Sequence, residues 1–273
     1  MQDRDATAHR APKISFTGIN KSYPAQGSRG GSTLALADFD LQIAPQEIVS
    51  IVGPTGCGKS TSLNVLAGFE QASAGTCTVD GKAVTGPGSD RGVVFQQPSL
   101  FPWLSVMANV VLGVKCRGVP AEEYEPRAMQ LLEEVGLKGF ERHFPYQLSG
   151  GMQQRVQIAR ALISQPDILL MDEPFGALDY QTRLLMQKLL LRLWAHFRPT
   201  ILFITHDVGE AVFISDRVIA MTRRPGRVKR EVRVQAPKPR DYEFMASDEF
   251  KSLEHELVLA VQEEVEGREA TSA

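Results

Sequence analysis

The sequence predicts an α/β protein with a mainly parallel sheet, an N-terminal antiparallel β portion and an inserted α-helical subdomain. Strand and helix patterns alternate from residue 167 to about 221, which is typical of parallel strands joined by helical crossovers. A largely helical region from about 100 to 164 precedes this alternation. Earlier strand-like segments are near 14–20, 34–43, 47–52, 76–80 and 92–96. The chain of 273 residues, 43% of them hydrophobic, suffices for one large or two modest domains.

A complete G-x-x-x-x-G-K-S motif occupies residues 53–60, directly after the apolar strand segment 48–52. The glycines of such a loop let backbone N–H groups turn towards phosphates, while Lys59 reaches the outer phosphate oxygens and Ser60 is placed to bind Mg²⁺. The helix that begins near Lys59 directs the positive end of its dipole at the same anion. The motif therefore predicts a phosphate-loop NTPase core. Its nucleotide-binding residues are Gly53, Pro54, Thr55, Gly56, Cys57, Gly58, Lys59, Ser60 and Thr61.

Cys57 lies within this loop and has two interpretations. It is either a small side chain that fits, or a thiol whose pKa is lowered by the helix N-terminus. The chain has three cysteines, an odd number, and none is part of a Cys-x-x-Cys pair. This argues for a reducing compartment and against a cysteine metal site.

A second anion-binding feature follows at residues 148–152, the LSGGM segment. Ser149 offers a hydroxyl, Gly150 and Gly151 expose the backbone, and a helical pattern begins there. One triphosphate does not need two such cradles in one small domain. The LSGGM segment is therefore predicted to serve a nucleotide held by another subunit, which makes the protein a dimer.

Two adjacent acids, Asp172 and Glu173, end the apolar strand pattern that begins at Asp167. Ligands gather at the carboxyl ends of parallel strands, so these acids are expected close to the phosphate loop. We expect Asp172 to hold Mg²⁺ through water, and Glu173 to orient or deprotonate an attacking water.

Taken together, these motifs resemble those of the ATP-binding-cassette (ABC) ATPases over about residues 14–232, although Met152 replaces the usual Gln. The resemblance implies ATP and Mg²⁺ as cofactors and an ATP-sandwich homodimer. It also implies roles for five further residues. Gln96 would contact Mg²⁺ and the attacking water, His206 would contact the terminal phosphate, and Tyr23 would contact the adenine. Gln153 and Asp179 would bind the nucleotide, Asp179 from a loop that crosses the dimer interface.

With this resemblance, the chain divides into a flexible N-terminus (1–12), an ABC ATPase domain (13–235) and a C-terminal extension (236–273). The helical subdomain, about 100–164, is inserted into the ATPase domain. Within the extension, residues 248–265 are predicted to form a terminal amphipathic helix. Its apolar residues at helical spacing are Phe250, Leu253, Leu257, Val258, Val261 and Val265.

Residues 99–104 and 225–228 look like the nitrate, sulfonate and taurine importer branch of the family, although Ala108 and Gly209 replace the usual Glu. This implies an ATPase subunit of a bacterial importer for a small anion or related compound. Its partners would be two transmembrane permease subunits and, indirectly, a substrate-binding protein. No apolar stretch approaches the roughly 18 residues of a spanning helix, so the protein is expected to be soluble or peripheral, and the resemblance places it at the cytoplasmic face of the inner membrane. The alternative is a soluble cassette ATPase that acts on DNA or ribosomes, but the coiled-coil insertion or tandem cassette expected of it is missing from the sequence.

Two surface features remain. Phe101 and Trp103 are expected to anchor a partner helix, or else Trp103 packs inside the helical subdomain. The basic run between Arg223 and Arg233 is predicted to be a solvated edge hairpin around Pro225, rather than a phosphate or lipid contact. A net charge of −2 and a pI near 6.2 give no attraction to nucleic acid, so no nucleic-acid partner is expected.

Overall fold

The computed structural model describes residues 11–24 and 31–266. Residues 1–10, which make up most of the predicted flexible N-terminus, lie outside the described residues. The strands are β1 (Ile14–Pro24), β2 (Ser32–Ile43), β3 (Ile48–Val52), β4 (Ala74–Val79), β5 (Lys82–Ala83), β6 (Arg91–Val94), β7 (Ile168–Asp172), β8 (Thr200–Ile204), β9 (Arg217–Met221) and β10 (Val228–Arg233). The helices are α1 (Lys59–Ala67), α2 (Val106–Cys116), α3 (Ala121–Glu134), α4 (Gly150–Leu162), α5 (Tyr180–Phe197), α6 (Val208–Ile214), α7 (Tyr242–Ala246) and α8 (Asp248–Glu266).

Within the described residues, these strands form two sheets. A four-stranded antiparallel sheet has the order β2-β1-β4-β5. A six-stranded sheet has the order β10-β9-β3-β8-β7-β6, and its strands are parallel except for β10 at the edge. The predicted α/β class, with an antiparallel portion before a mainly parallel sheet, is confirmed.

The strands β3, β7, β8 and β9 of the six-stranded sheet are buried on both faces, as their nearly continuous apolar sequences require. Ile168 and Leu170 of β7 pack with α1 and the antiparallel sheet, whereas Leu169 and Met171 pack with helices on the opposite face. In the first of these cores, Phe16 and Phe39 meet edge to face with ring centroids 5.4 Å apart. The sheet is therefore held rigidly between two layers.

This topology brings the chemically important loops to one edge. The phosphate loop follows β3, Asp172 ends β7, and His206 comes just after β8. Since β3, β8 and β7 are neighbouring parallel strands, their carboxyl ends meet at the same edge of the sheet.

The β9–β10 hairpin lies at the sheet edge, as predicted, but it is not simply solvated. Helix α8 runs beside it, and carboxylates of α8 pair with the basic side chains of β10. These pairs join Lys229 to Glu263 at 2.9 Å and to Glu264 at 2.7 Å, and Arg230 to Glu256 at 2.7 Å. The C-terminal extension thus covers the edge strand β10, which was predicted to be solvated. Among the described helices, none has the length and hydropathy needed to cross a bilayer.

Candidate functional site

The phosphate loop joins β3 to α1 in a conformation that requires glycine. Gly56 and Gly58 have φ values of 76° and 108°, in the region that side chains disfavour. A Cβ atom on Gly58 would also lie 2.8 Å from Leu36 Cδ2 and 2.9 Å from Ala35 O. Strand β2 therefore packs directly against the loop, and the glycines allow this close approach.

Lys59 is buried at the start of α1, and its amine is bonded to the loop itself. Its Nζ donates hydrogen bonds to Gly53 O at 2.8 Å and to Pro54 O at 3.1 Å. An ammonium group has three donors, and the third faces only the Cys57 sulfur, a weak acceptor 4.0 Å away, so it can serve a stronger acceptor. The lysine thus closes the loop and still offers a proton to a phosphate oxygen.

A cavity of about 470 Å³ opens beside the loop, a size typical of small-molecule sites. Its walls combine the loop with β1 and β2, and Tyr23 lies in it with its hydroxyl 3.5 Å from Thr61 Oγ1. The ammonium of Lys21 lies 4.9 Å from the centre of the Tyr23 ring. Tyr23 is therefore positioned in the wall of this cavity, but its contact with adenine stays a prediction.

The side chains of Ser60, in the first turn of α1, and Asp172, at the end of β7, lie together. Ser60 Oγ donates to Asp172 Oδ1 at 3.2 Å. Burial raises the pKa of Asp172, because the charged carboxylate loses solvent, although the hydrogen bond from Ser60 opposes this. A hydroxyl and a carboxylate are the hard oxygen donors that Mg²⁺ prefers, and a cation here would compensate the buried charge. These two residues therefore fit the predicted metal site.

Glu173 lies at the centre of the three predicted catalytic residues. Its Oε2 lies 3.4 Å from Gln96 Nε2 and 3.2 Å from His206 Nδ1. Its backbone has a φ of 45°, unusual for a residue with a side chain, and its N–H donates to Ile204 O at 2.8 Å. Backbone strain of this kind is concentrated at functional sites. The fold thus brings an acid, an amide and an imidazole together, next to the phosphate loop.

The LSGGM segment forms the predicted helix N-terminus. Ser149 is the N-cap of α4, and its Oγ accepts a hydrogen bond from Met152 N at 3.3 Å. This uses only an acceptor of the hydroxyl, so its O–H can still donate to an anion. Ser149 and Gly150 are exposed, and among the described residues that line the 470 Å³ cavity neither they nor Gly151 occur. This arrangement agrees with the prediction that the LSGGM segment binds a nucleotide held by another subunit.

The two other residues expected at a dimer interface have local partners. Gln153 turns back to its own loop, where Nε2 donates to Pro145 O at 2.9 Å and to Leu148 O at 3.3 Å. Asp179 caps α5 and is exposed, and hydrogen bonds from Thr182, first from its side chain and then from its backbone N–H (3.0 Å), lower the carboxyl pKa of Asp179. Their contact with a nucleotide stays a prediction.

Cys57 is buried, with its Sγ 4.0 Å from Lys59 Nζ. Burial raises the pKa of its thiol, despite the opposing charge of Lys59. The interpretation of Cys57 as a thiol with a lowered pKa is therefore wrong, because desolvation outweighs the nearby positive charge.

We expect Cys57 to react much more slowly with iodoacetamide than Cys116, which is exposed. Mass spectrometry of the native protein over time gives the two rates, and a Cys116→Ser variant should lose the fast reaction. Equal rates for Cys57 and Cys116 would contradict the burial of Cys57.

Sequence reasoning missed Asn109, which organises the loop that carries Phe101 and Trp103. Asn109 is fully buried; its Oδ1 accepts from Phe101 N at 2.8 Å, and its Nδ2 donates to Leu104 O at 2.9 Å. The signal was present, because an Asn within the apolar face of α2 needs buried partners. The loop is thus rigid, and its aromatic side chains point outwards.

The chain matches the family model described as ABC transporter over residues 36–176. It is 44% identical to a nitrate import ATP-binding protein of Synechocystis over 89% of this chain and 93% of that protein. It is 54% identical to a taurine import ATP-binding protein of Rhizobium johnstonii over 74% of this chain and 77% of that protein. A dimeric ATP-binding cassette solved with ADP and Pi superposes with a TM-score of 0.71 at 33% identity, covering 82% of this chain and all of that one. The chain therefore belongs to the ABC transporter family.

Proposed function

We propose that the protein is the ATP-binding and hydrolysing subunit of a bacterial ABC importer for a small anion or related compound. The observation that carries this proposal is the cluster of Glu173, Gln96 and His206 beside the phosphate loop. Glu173 is placed to take a proton from a water molecule, and Gln96 and His206 hold its carboxylate in position. The loop and Lys59 bind the phosphates.

Ser60, Asp172 and Gln96 would hold Mg²⁺, which neutralises phosphate charge when it is bound. The close pair of Ser60 and Asp172, 3.2 Å apart, supports this assignment for two of the three. Tyr23 would border the adenine at the other end of the cavity. The position of Tyr23 in the cavity wall is what supports this role.

We further propose an ATP-sandwich homodimer in which Ser149, Gly150 and Gly151 of one subunit complete the site of the other. Two observations support it: the LSGGM segment does not line its own chain's cavity, and a similar cassette was solved as a dimer. Asp179 and Gln153, at or near helix N-termini, would add to this interface.

The importer assignment draws on the relatives named for nitrate and taurine import and on an exposed aromatic pair. Phe101 and Trp103 are 36% and 70% exposed, with ring centroids 5.5 Å apart. Because Trp103 is so exposed, it does not pack in the helical subdomain. An exposed aromatic pair on a rigid loop, close in sequence to Gln96, suits a helix of a permease subunit. Two such subunits would place the protein at the cytoplasmic face of the membrane, with a substrate-binding protein as an indirect partner.

A Phe101→Ala/Trp103→Ala variant tests this assignment. We expect near-normal ATP binding and an unchanged melting temperature, because both side chains lie on the surface. Transport, and stimulation of hydrolysis by the permease subunits, should be lost, since buried aromatic anchors typically contribute about 2 kcal/mol or more to an interface. The measurements are ATP titration, thermal unfolding and hydrolysis in the reconstituted complex.

Tyr242→Ala is the matched control, because Tyr242 is a 49% exposed aromatic on α7 in the C-terminal extension. It should leave the stimulation intact. If the permease subunits still stimulate hydrolysis in the double variant, Phe101 and Trp103 do not anchor a permease helix. A soluble cassette ATPase would then be the better interpretation.

A further inference from the structure

Arg224 lies in the turn between β9 and β10, yet it reaches the phosphate loop. Its Nε donates a hydrogen bond to Gly56 O at 3.2 Å. It also lines the 470 Å³ cavity, where Tyr23 and Glu173 lie, and a second cavity of about 960 Å³ on the other side of the loop. Arg224 therefore touches the loop from outside the motif.

The turn that carries Arg224 is fixed at several points. Thr222 Oγ1 donates to Pro225 O at 3.0 Å and accepts from Arg227 N at 2.9 Å. Gly226 N donates to Ala35 O at 2.8 Å. The backbone of Gly226 is so close to the phosphate loop that a Cβ atom there would collide with the carbonyl of Cys57. The turn and the loop thus form one packed unit, which determines where the arginine can lie.

Arg224 is a second positive charge in the cavity, beside Lys59. Among the cavity's described lining residues, Lys59 and Arg224 are the positive groups and Glu173 is the negative one. Lys59 already shares its amine between two loop carbonyls. A guanidinium has five N–H donors in a planar fork, and the bond to Gly56 uses only one of them. Arg224 can therefore hold the loop and bind an anion at the same time.

We propose that Arg224 binds the outer phosphates of the nucleotide with its terminal amino groups while its Nε holds the phosphate loop at Gly56. The ligand class is a nucleoside di- or triphosphate. This inference rests on the ATP binding proposed above, and it adds a specificity residue that the phosphate-loop motif does not contain.

The test is to titrate ATP, ADP and AMP, without hydrolysis, into the full-length wild type and into Arg224→Ala, Arg224→Lys and Arg224→Gln. We expect Arg224→Ala to weaken ATP and ADP binding by about 10- to 100-fold, as for the loss of hydrogen bonds to a charged group. AMP binding should change little, since AMP lacks the outer phosphates. Arg224→Lys should restore part of the affinity and Arg224→Gln should not, because the amide carries no charge.

Arg227→Ala is the matched control, because Arg227 lies in the same turn but pairs with Asp38 at 2.8 Å and does not line the cavity. It should bind ATP like the wild type. The inference is overturned if Arg224→Ala binds ATP within about twofold of the wild type, a difference too small for a charged hydrogen bond. It is also overturned if all three nucleotides weaken equally and the melting temperature falls, which would mark a purely structural role. A wild type that does not bind ATP would overturn the proposed function itself.

Discussion

Replacing Glu173 by Gln is expected to slow ATP hydrolysis by about 10²- to 10⁴-fold, the usual contribution of a general base, while ATP binding persists. The amide has the same size and keeps the oxygen or nitrogen near Gln96 Nε2 and His206 Nδ1, which lie 3.4 and 3.2 Å from the wild-type carboxylate. It cannot accept a proton as a carboxylate does. The variant should therefore retain ATP and accumulate as an ATP-bound dimer.

Phosphate release measures the first effect, and gel filtration with and without ATP measures the second. Glu256→Gln is a suitable control, because it removes only an exposed ion pair with Arg230, 2.7 Å long. Normal hydrolysis by the Glu173 variant would rule out its role as the base. A variant that loses hydrolysis without forming dimers would contradict the ATP-sandwich proposal.

The proposed homodimer, in which the LSGGM segment of one chain completes the nucleotide site of the other, predicts a second large effect, in mixtures of two inactive chains. Lys59→Ala removes the cation bonded to the loop carbonyls of Gly53 and Pro54, and so weakens phosphate binding. Ser149→Arg places a bulky side chain at the exposed N-cap of α4. A mixed dimer has one site with an intact loop and an intact LSGGM segment, and one site in which both are defective. We expect each mixed dimer to bind one ATP, whereas neither variant alone binds ATP tightly in a closed dimer.

Differently tagged chains allow the mixed dimer to be purified and its bound ATP counted. Ser149→Ala is the control for the arginine, because it removes the cap hydrogen bond without adding bulk, and it should bind more ATP than Ser149→Arg. Should the mixed dimer bind no more ATP than either parent, the LSGGM segment would have to act within its own chain.

The local features of the site follow from the sequence because they depend on neighbours along the chain. The phosphate loop is a contiguous motif between a strand and a helix, and Ser149 caps the helix that begins one residue later. Asp172 ends a strand whose apolar residues predict burial on both faces, and Glu173 follows it directly. His206 follows β8, the parallel neighbour of β7, so a parallel sheet places it beside Glu173.

The features that the sequence did not reveal depend on long-range packing. Cys57 is buried in the cluster that includes Leu36 and Met221, and the backbone of Gly226, 169 residues further along the chain, packs against its carbonyl. The acidic residues of α8 are spaced as in many solvated helices, so their pairing with Lys229 and Arg230 needs the helix to be placed beside β10. Arg224 belongs to a run of similar basic residues, and only the fold distinguishes it from them.

The path of α8 has a practical consequence for experiments with tagged protein. Val261, Glu264 and Val265 border the 960 Å³ cavity together with His206 and the first half of the phosphate loop. A purification tag or fluorescent protein fused after α8 would begin near the phosphate loop and His206, where the proposed homodimer would close over the nucleotide. Such a fusion would compete sterically with dimer closure, so low activity in it would report on the tag. Lys13, just ahead of β1, pairs with Asp167 at the amino end of β7, the sheet edge opposite the phosphate loop, so a fusion ahead of β1 would start at that opposite edge.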